Sequence, residues 1–147
     1  MKLISPELVV IGLDASDKWD AIQKMAELLS KSDNVGSLKD LHEAMVKREH
    51  TMSTGLGHGV AIPHAICDSV KAIVVAAATL SHPLEFESLD MQPVTVIFSI
   101  ASPIDRDKTY MQILAQIARL FADSSFGKKL AAAKSPQEFL KIIAATE

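Results

Sequence analysis

The sequence holds a single cysteine, Cys67. That excludes an internal disulfide and any multi-cysteine zinc or iron–sulfur centre, and it fits a reducing compartment. Aromatic residues are scarce, at 5% against 48% hydrophobic residues overall, so the core is expected to be mostly aliphatic. The longest charge-free stretches, 72–84 and 91–104, fall short of the roughly 18–20 residues that span a bilayer. Residues 1–6 and the short apolar run 8–13, closed by Asp14, do not have the form of a signal peptide. A cytoplasmic protein with no direct membrane insertion is therefore expected. With a net charge of −3 and scattered lysines, the sequence has no basic face to invite nucleic acid. Repeats, low-complexity tracts and long Pro/Gly linkers are also lacking, so the 147 residues read as a single domain over 1–147.

What is present is an alternation of strand-like and helix-like segments. A first strand is expected over 8–11. An amphipathic helix is expected over 17–30, with Trp19, Ile22, Ala26 and Leu29 on its inner face. Ser37 is placed to cap a second helix running to about Lys47, with Leu38, Leu41 and Met45 inward. Residues 51–59 contain three glycines without periodicity and read as a loop. The short strand 60–62 must end near Pro63, which cannot donate to a ladder. The continuous apolar runs 73–80 and 94–100 suit strands buried on both faces, with a turning segment between them. Tyr110, Leu114, Ile117 and Phe121 mark a long helix, and Ser124 or Ser125 opens a short one. Ser135-Pro136-Gln137-Glu138 starts the last helix with a capping box. Buried strands interleaved with helices indicate a three-layer α/β domain.

The unusual stretch runs from Arg48 to His64. Gly55, Gly57 and Gly59 reach positive φ at little cost, so their backbone N–H groups are able to line an anion-binding concavity. Ser53 and Thr54 would add hydroxyl donors, and Arg48 a guanidinium fork suited to phosphate. The same composition also describes a plain flexible connection. It is neither a P-loop, since no Gly-Lys-Ser/Thr follows, nor a dinucleotide fingerprint, since it precedes a strand.

His64 follows Pro63 at a strand end, where a sheet presents a side chain to the surface. A neutral imidazole there keeps one free lone pair able to attack a phosphoryl group. Structural histidines are common, and it is the neighbouring loop and Arg48 that shift the reading toward function. His58, between glycines, is expected to be mobile and exposed, a rim residue rather than the carrier. His42, His50 and His82 belong to no evident constellation. Metal ligation by His58, His64, Cys67 or His82 matches no compact ligand spacing, so no metal is expected. A Cys67–His64 nucleophilic pair lacks an orienting residue, and Asp68 reads equally as a turn residue.

Taken together, Arg48-Glu49 and Ser53-Thr54-Gly55-Leu56-Gly57-His58-Gly59-Val60-Ala61-Ile62-Pro63-His64 resemble the enzyme IIA domains of the mannitol/fructose class of the bacterial phosphotransferase system, a class that includes nitrogen-related regulatory paralogues. The resemblance continues through Pro83-Leu84-Glu85-Phe86, Asp90-Met91-Gln92-Pro93-Val94 and Ile113-Leu114-Ala115-Gln116-Ile117-Ala118-Arg119-Leu120, and so covers nearly the whole chain. It implies a mixed sheet flanked by helices and a phosphohistidine at His64 supported by Arg48. It also implies a histidine phosphocarrier protein as donor, and an enzyme IIB cysteine or a regulatory target as partner, with no cofactor. Many members of that family carry a second histidine at the start of the long helix. Tyr110 stands there in this sequence, and a phenol with an ordinary pKa of about 10 supplies a hydrogen bond but no imidazolium charge.

Overall fold

The computed structural model describes residues 4–104 and 108–146; Met1, Lys2 and Leu3 of the expected non-leader segment lie outside them. After a short 3-10 turn, Pro6–Leu8, the elements are β1 (Val9–Leu13), α1 (Lys18–Leu29), α2 (Leu38–Thr51), β2 (Gly55–Gly57), β3 (Val60–Ala61), β4 (His64–Ile66), β5 (Val74–Leu84), β6 (Val94–Ser102), α3 (Thr109–Leu120), α4 (Ser124–Ala131) and α5 (Pro136–Ala144). They build a mixed sheet in the order β1-β5-β6-β3-β2, with β4 also on β6. β5 and β6 run antiparallel at its centre; β1 lies parallel to β5, and β3 and β4 lie parallel to β6.

Because side chains alternate across a strand, β5 and β6 feed two cores. Ala76, Ala78, Val94 and Ile97 face α1 and α2, while Val75, Ala77, Val96, Phe98 and Ile100 face α3, α4 and α5. This is the three-layer α/β arrangement expected from the alternation of segments. The few aromatics are not dispersed: Phe98, Phe121, Phe126 and Phe139 share the second core, with ring centroids 5.3–5.9 Å apart.

The helices start as read. Asp17, Ser37 and Ser135 each accept a backbone N–H three residues on, and Asp123 caps α4. Two inner faces differ from expectation. Trp19 and Leu38 are each 38% exposed, and the inward stripe of α1 begins at Lys18, followed by Ile22, Met25 and Leu29. A lysine replaces tryptophan there because its ammonium finds a buried carboxylate on α2, Glu49, at 3.1 Å. The same pair explains why α2 runs past Lys47 to Thr51: the polar run that hid its last turn contains that buried Glu49.

The segment 51–59 is not all loop. Gly55 and Gly57 belong to β2 and pair with β3, joined to it by His58 and Gly59 at φ of 55° and 82°. Positive φ at both central residues is the I′ geometry of a tight hairpin. β3 stops at Ala61, but its track resumes as β4 in unchanged register on β6, with Val60 opposite Val96 and His64 opposite Ile100. Pro63 interrupts the ladder without redirecting the chain. β5 continues through Pro83, where a turn was expected. Between Thr79 and Leu84 its pairing slips, so the missing N–H falls outside the ladder. Among the described residues, no helix is long and apolar enough to cross a membrane.

Candidate functional site

His64 opens β4 one residue after the break at Pro63. Its Nδ1 lies 2.7 Å from the Ile62 carbonyl oxygen. A carbonyl only accepts, so Nδ1 carries the proton and Nε2 keeps the lone pair. The ring titrates below the ordinary histidine value. Burial is the largest cause and the Arg48 charge adds to it, while the Ile62 hydrogen bond and Glu49 oppose it. A proton NMR titration of His64 should therefore give a midpoint below about 6.5. The unfolded chain then binds this proton more readily than the folded one. The group's contribution to stability is present above about pH 6.5 and is lost as pH falls from there through the folded midpoint. A midpoint at or above 6.5 would contradict a buried neutral ring.

Arg48 lies on the last turn of α2. Its Nη1 donates to the Met52 carbonyl at 2.8 Å, which ties the guanidinium over the helix end and leaves its other N–H donors for a ligand. No carboxylate among the described residues forms an ion pair with it. Arg48 and His64 together line two neighbouring hollows. One, of about 360 Å³, is walled by Met52, Ser53, Thr54, Gly55 and Leu56, by Ile62 and Leu89, and by Leu114, Ala115 and Ala118 of α3. The other, of about 480 Å³, includes Ala65, Ile66 and Tyr110. Tyr110 thus reaches the hollow beside His64 while its ring packs against the core under α3.

Of the expected anion nest, Ser53, Thr54 and Gly55 line the first hollow with His64, and Gly57 and Gly59 do not. Thr54 lies in the wall, but its N–H and hydroxyl donate to the two carboxylate oxygens of Glu49, at 2.8 and 2.6 Å. The Ser53 hydroxyl donates to the Phe86 carbonyl, and the Gly55 N–H to Ser53 Oγ at 3.1 Å. Gly59 and His58 face away, into a shallow hollow with Asp90, Thr95 and Lys128, and Gly57 is buried. The His58 N–H donates to the Asp90 carboxylate at 2.9 Å, and a Cβ on Gly57 would lie 3.2 Å from that carboxylate. Gly57 and Gly59 therefore serve the hairpin, and Gly55 and Gly57 a close approach to Ser88 and Asp90. His58 is exposed as expected, but it does not share either hollow of His64.

Sequence reading also missed three contributors. Glu49 was given no role of its own, although its place beside Arg48 in the family motif was a signal. The Ile62 carbonyl acts through the backbone and leaves no side-chain trace. The apolar wall comes from α3, distant in sequence. Cys67 is buried, with Sγ 3.2 Å from Ser69 Oγ, and Asp68 is exposed; neither lines a hollow with His64.

The site thus combines a neutral Nε2, a neighbouring guanidinium and a mostly apolar wall. Comparison with known proteins gives the family. The nitrogen regulatory protein of Bradyrhizobium diazoefficiens is 33% identical over 146 residues, covering 97% of this chain and 92% of that protein. The crystal structure of nitrogen regulatory protein IIA-Ntr from Neisseria meningitidis superposes with a TM-score of 0.89 at 27% identity, covering 97% of each chain. Enzyme IIAMTL of Escherichia coli, solved in complex with phosphorylated enzyme IIBMTL, shares the fold with a TM-score of 0.83 at 23% identity, covering 97% of each chain. The family model for the phosphoenolpyruvate-dependent sugar phosphotransferase system, EIIA 2, matches residues 2–146. This chain, with His64 and Arg48 between its two hollows, belongs to that EIIA 2 family.

Proposed function

We propose that the chain is a cytoplasmic phosphocarrier that takes a phosphoryl group onto His64 Nε2 from a phosphohistidine of the histidine phosphocarrier protein and gives it to an enzyme IIB cysteine. The observation that carries this reading is the Nδ1–Ile62 hydrogen bond, which leaves Nε2 as the nucleophile. In the accepting step the Nε2 lone pair forms the new P–N bond. The donor's P–N bond breaks, and its electron pair returns to the donor imidazole. In the giving step a thiolate forms a P–S bond and the electron pair of the His64 P–N bond returns to Nε2. Arg48 supports the charge on the transferring oxygens, and the apolar wall excludes water that would hydrolyse the phosphohistidine. The test is incubation with phosphoenolpyruvate, enzyme I and the cognate carrier, followed by ¹⁵N and ³¹P NMR. Phosphorus coupled to Nε2 of His64 is expected; phosphate on Nδ1 would overturn the assignment.

Two substitutions probe the surroundings. Arg48→Ala should leave the fold intact and slow phosphorylation about tenfold or more, equivalent to about 1.4 kcal/mol of transition-state stabilisation. Lysine should restore part of the rate, because a point charge lacks the fork. Wild-type transfer in stopped-flow by the alanine variant would make Arg48 a surface residue. Tyr110→Phe removes only the hydroxyl of a residue that lines the second hollow. If that hydroxyl supports the phosphate, transfer slows severalfold at unchanged stability, since one neutral hydrogen bond contributes about 1 kcal/mol. An unchanged rate assigns Tyr110 to packing alone.

A second reading, in which phosphorylation of His64 controls binding to a regulatory target, is favoured by relatives that carry the name nitrogen regulatory protein and cover nearly all of this chain. A phosphoryl group adds about two negative charges to a half-buried apolar site, enough to create or abolish a small interface. Retrieval of one protein by the unphosphorylated chain only, unaccompanied by an enzyme IIB that drains the phosphate, would select this reading.

A further inference from the structure

An ion pair followed by hydrogen bonds makes a continuous path from Lys18 on α1 to the imidazole. Lys18 Nζ lies 3.1 Å from Glu49 Oε2. The Glu49 carboxylate accepts the Thr54 N–H and hydroxyl at 2.8 and 2.6 Å. The Thr54 carbonyl accepts the Ile62 N–H at 3.0 Å, and the Ile62 carbonyl accepts His64 Nδ1–H at 2.7 Å. Both charged side chains are almost wholly buried, Lys18 at 6% and Glu49 at 1% exposure.

We infer that Glu49, neutralised by Lys18, is a positioning residue that fixes the orientation and tautomer of His64 through Thr54 and Ile62. This rests on the reading of His64 as the phosphoryl acceptor. The argument turns on what an ion pair does here that packing alone does not. An apolar pair of similar volume would hold α1 to α2 about as well, because desolvating two charges offsets their attraction. It could not accept two hydrogen bonds from Thr54. That residue lies in the only stretch joining α2 to the β2–β3 hairpin, where no regular ladder fixes the backbone. The Ile62 carbonyl also needs an external anchor, since it sits at the break between β3 and β4 and precedes a proline. Thr54 supplies that anchor by accepting the Ile62 N–H. Glu49 follows Arg48 on the same last turn of α2, so one buried carboxylate sets the places of both functional side chains. The charges acting on the ring are those of Arg48 and Glu49, of opposite effect.

The tautomer is read directly in the unphosphorylated protein by ¹⁵N–¹H NMR of the His64 ring, apart from any transfer. The unaltered protein should show the Nδ1–H form alone. Glu49→Ala should populate both tautomers and cut the kcat of phosphoryl acceptance about tenfold with KM for the donor little changed. Glu49→Gln keeps an oxygen for one Thr54 donor and should restore most of the Nδ1–H form. Thr54→Val removes the hydroxyl while leaving the ion pair, and should give a smaller effect of the same kind; it serves where Glu49→Ala does not fold. A single tautomer in the folded variants would overturn the proposal. A Glu49-dependent tautomer in a protein that accepts no phosphate would uphold the positioning and overturn the phosphoryl reading.

Discussion

His64→Ala is expected to abolish phosphate incorporation from phosphoenolpyruvate, enzyme I and the carrier protein, while the variant still folds. The loss should be complete because no other histidine has the required surroundings. His58 sits on the hairpin turn beside Asp90, whose carboxylate repels an incoming phosphoryl group. His50 is stacked on Trp19 with centroids 4.6 Å apart, and His42 lines a hollow with that pair. His82 is exposed, 3.8 Å from the Asp14 carboxylate. None lies near Arg48 in either hollow lined by His64. The structural cost is one hydrogen bond and an Ile62 carbonyl left partly buried, about 1–3 kcal/mol. That is a minority of the 5–15 kcal/mol typical of a domain. Intact mass before and after acid treatment reads the outcome, since a phosphohistidine is acid-labile and base-stable. Full incorporation in His64→Ala would move the site elsewhere.

That His64 and Arg48 belong together was legible in the sequence because both lie in one short motif, and Pro63 announced where the strand must break. The layers were legible too, since apolar runs and helical spacing report burial directly. Strand order was not, because pairs such as Val9 with Ala77 or His64 with Ile100 join distant segments that carry no local mark. The glycine segment misled for a different reason. Positive φ at His58 and Gly59 makes a hairpin turn as readily as an anion nest, and only the position of Asp90 decides between them. Ser53 and Thr54 read as free donors because nothing local shows that Phe86 and Glu49 take their protons. Glu49 and Lys18 were hidden because a buried ion pair has the same letters as two surface charges.

That pair supports the second large effect. Lys18→Met should lower the free energy of unfolding by about 3–5 kcal/mol, the usual cost of leaving one partner of a buried pair uncompensated. Methionine isolates the charge. It retains the apolar stem and offers sulfur to the rings of Phe86 and Trp19, whose centroids lie 5.4 and 5.5 Å from the ammonium. Glu87, 3.4 Å from Lys18 at the surface, gives no relief, because it too is a carboxylate. The double variant Lys18→Met/Glu49→Gln removes both charges and leaves a neutral amide that still accepts from Thr54, so most of the lost stability should return. The cycle is measured by urea unfolding of the four proteins, and a coupling of about 2 kcal/mol or more is expected for residues in direct contact. A cost below about 1 kcal/mol for Lys18→Met would be the value of an exposed pair and would contradict the burial. Recovery of stability in the double variant with a smaller shortfall in transfer than in Glu49→Ala is expected, because the amide still accepts from one of the two Thr54 donors that hold the loop orienting His64.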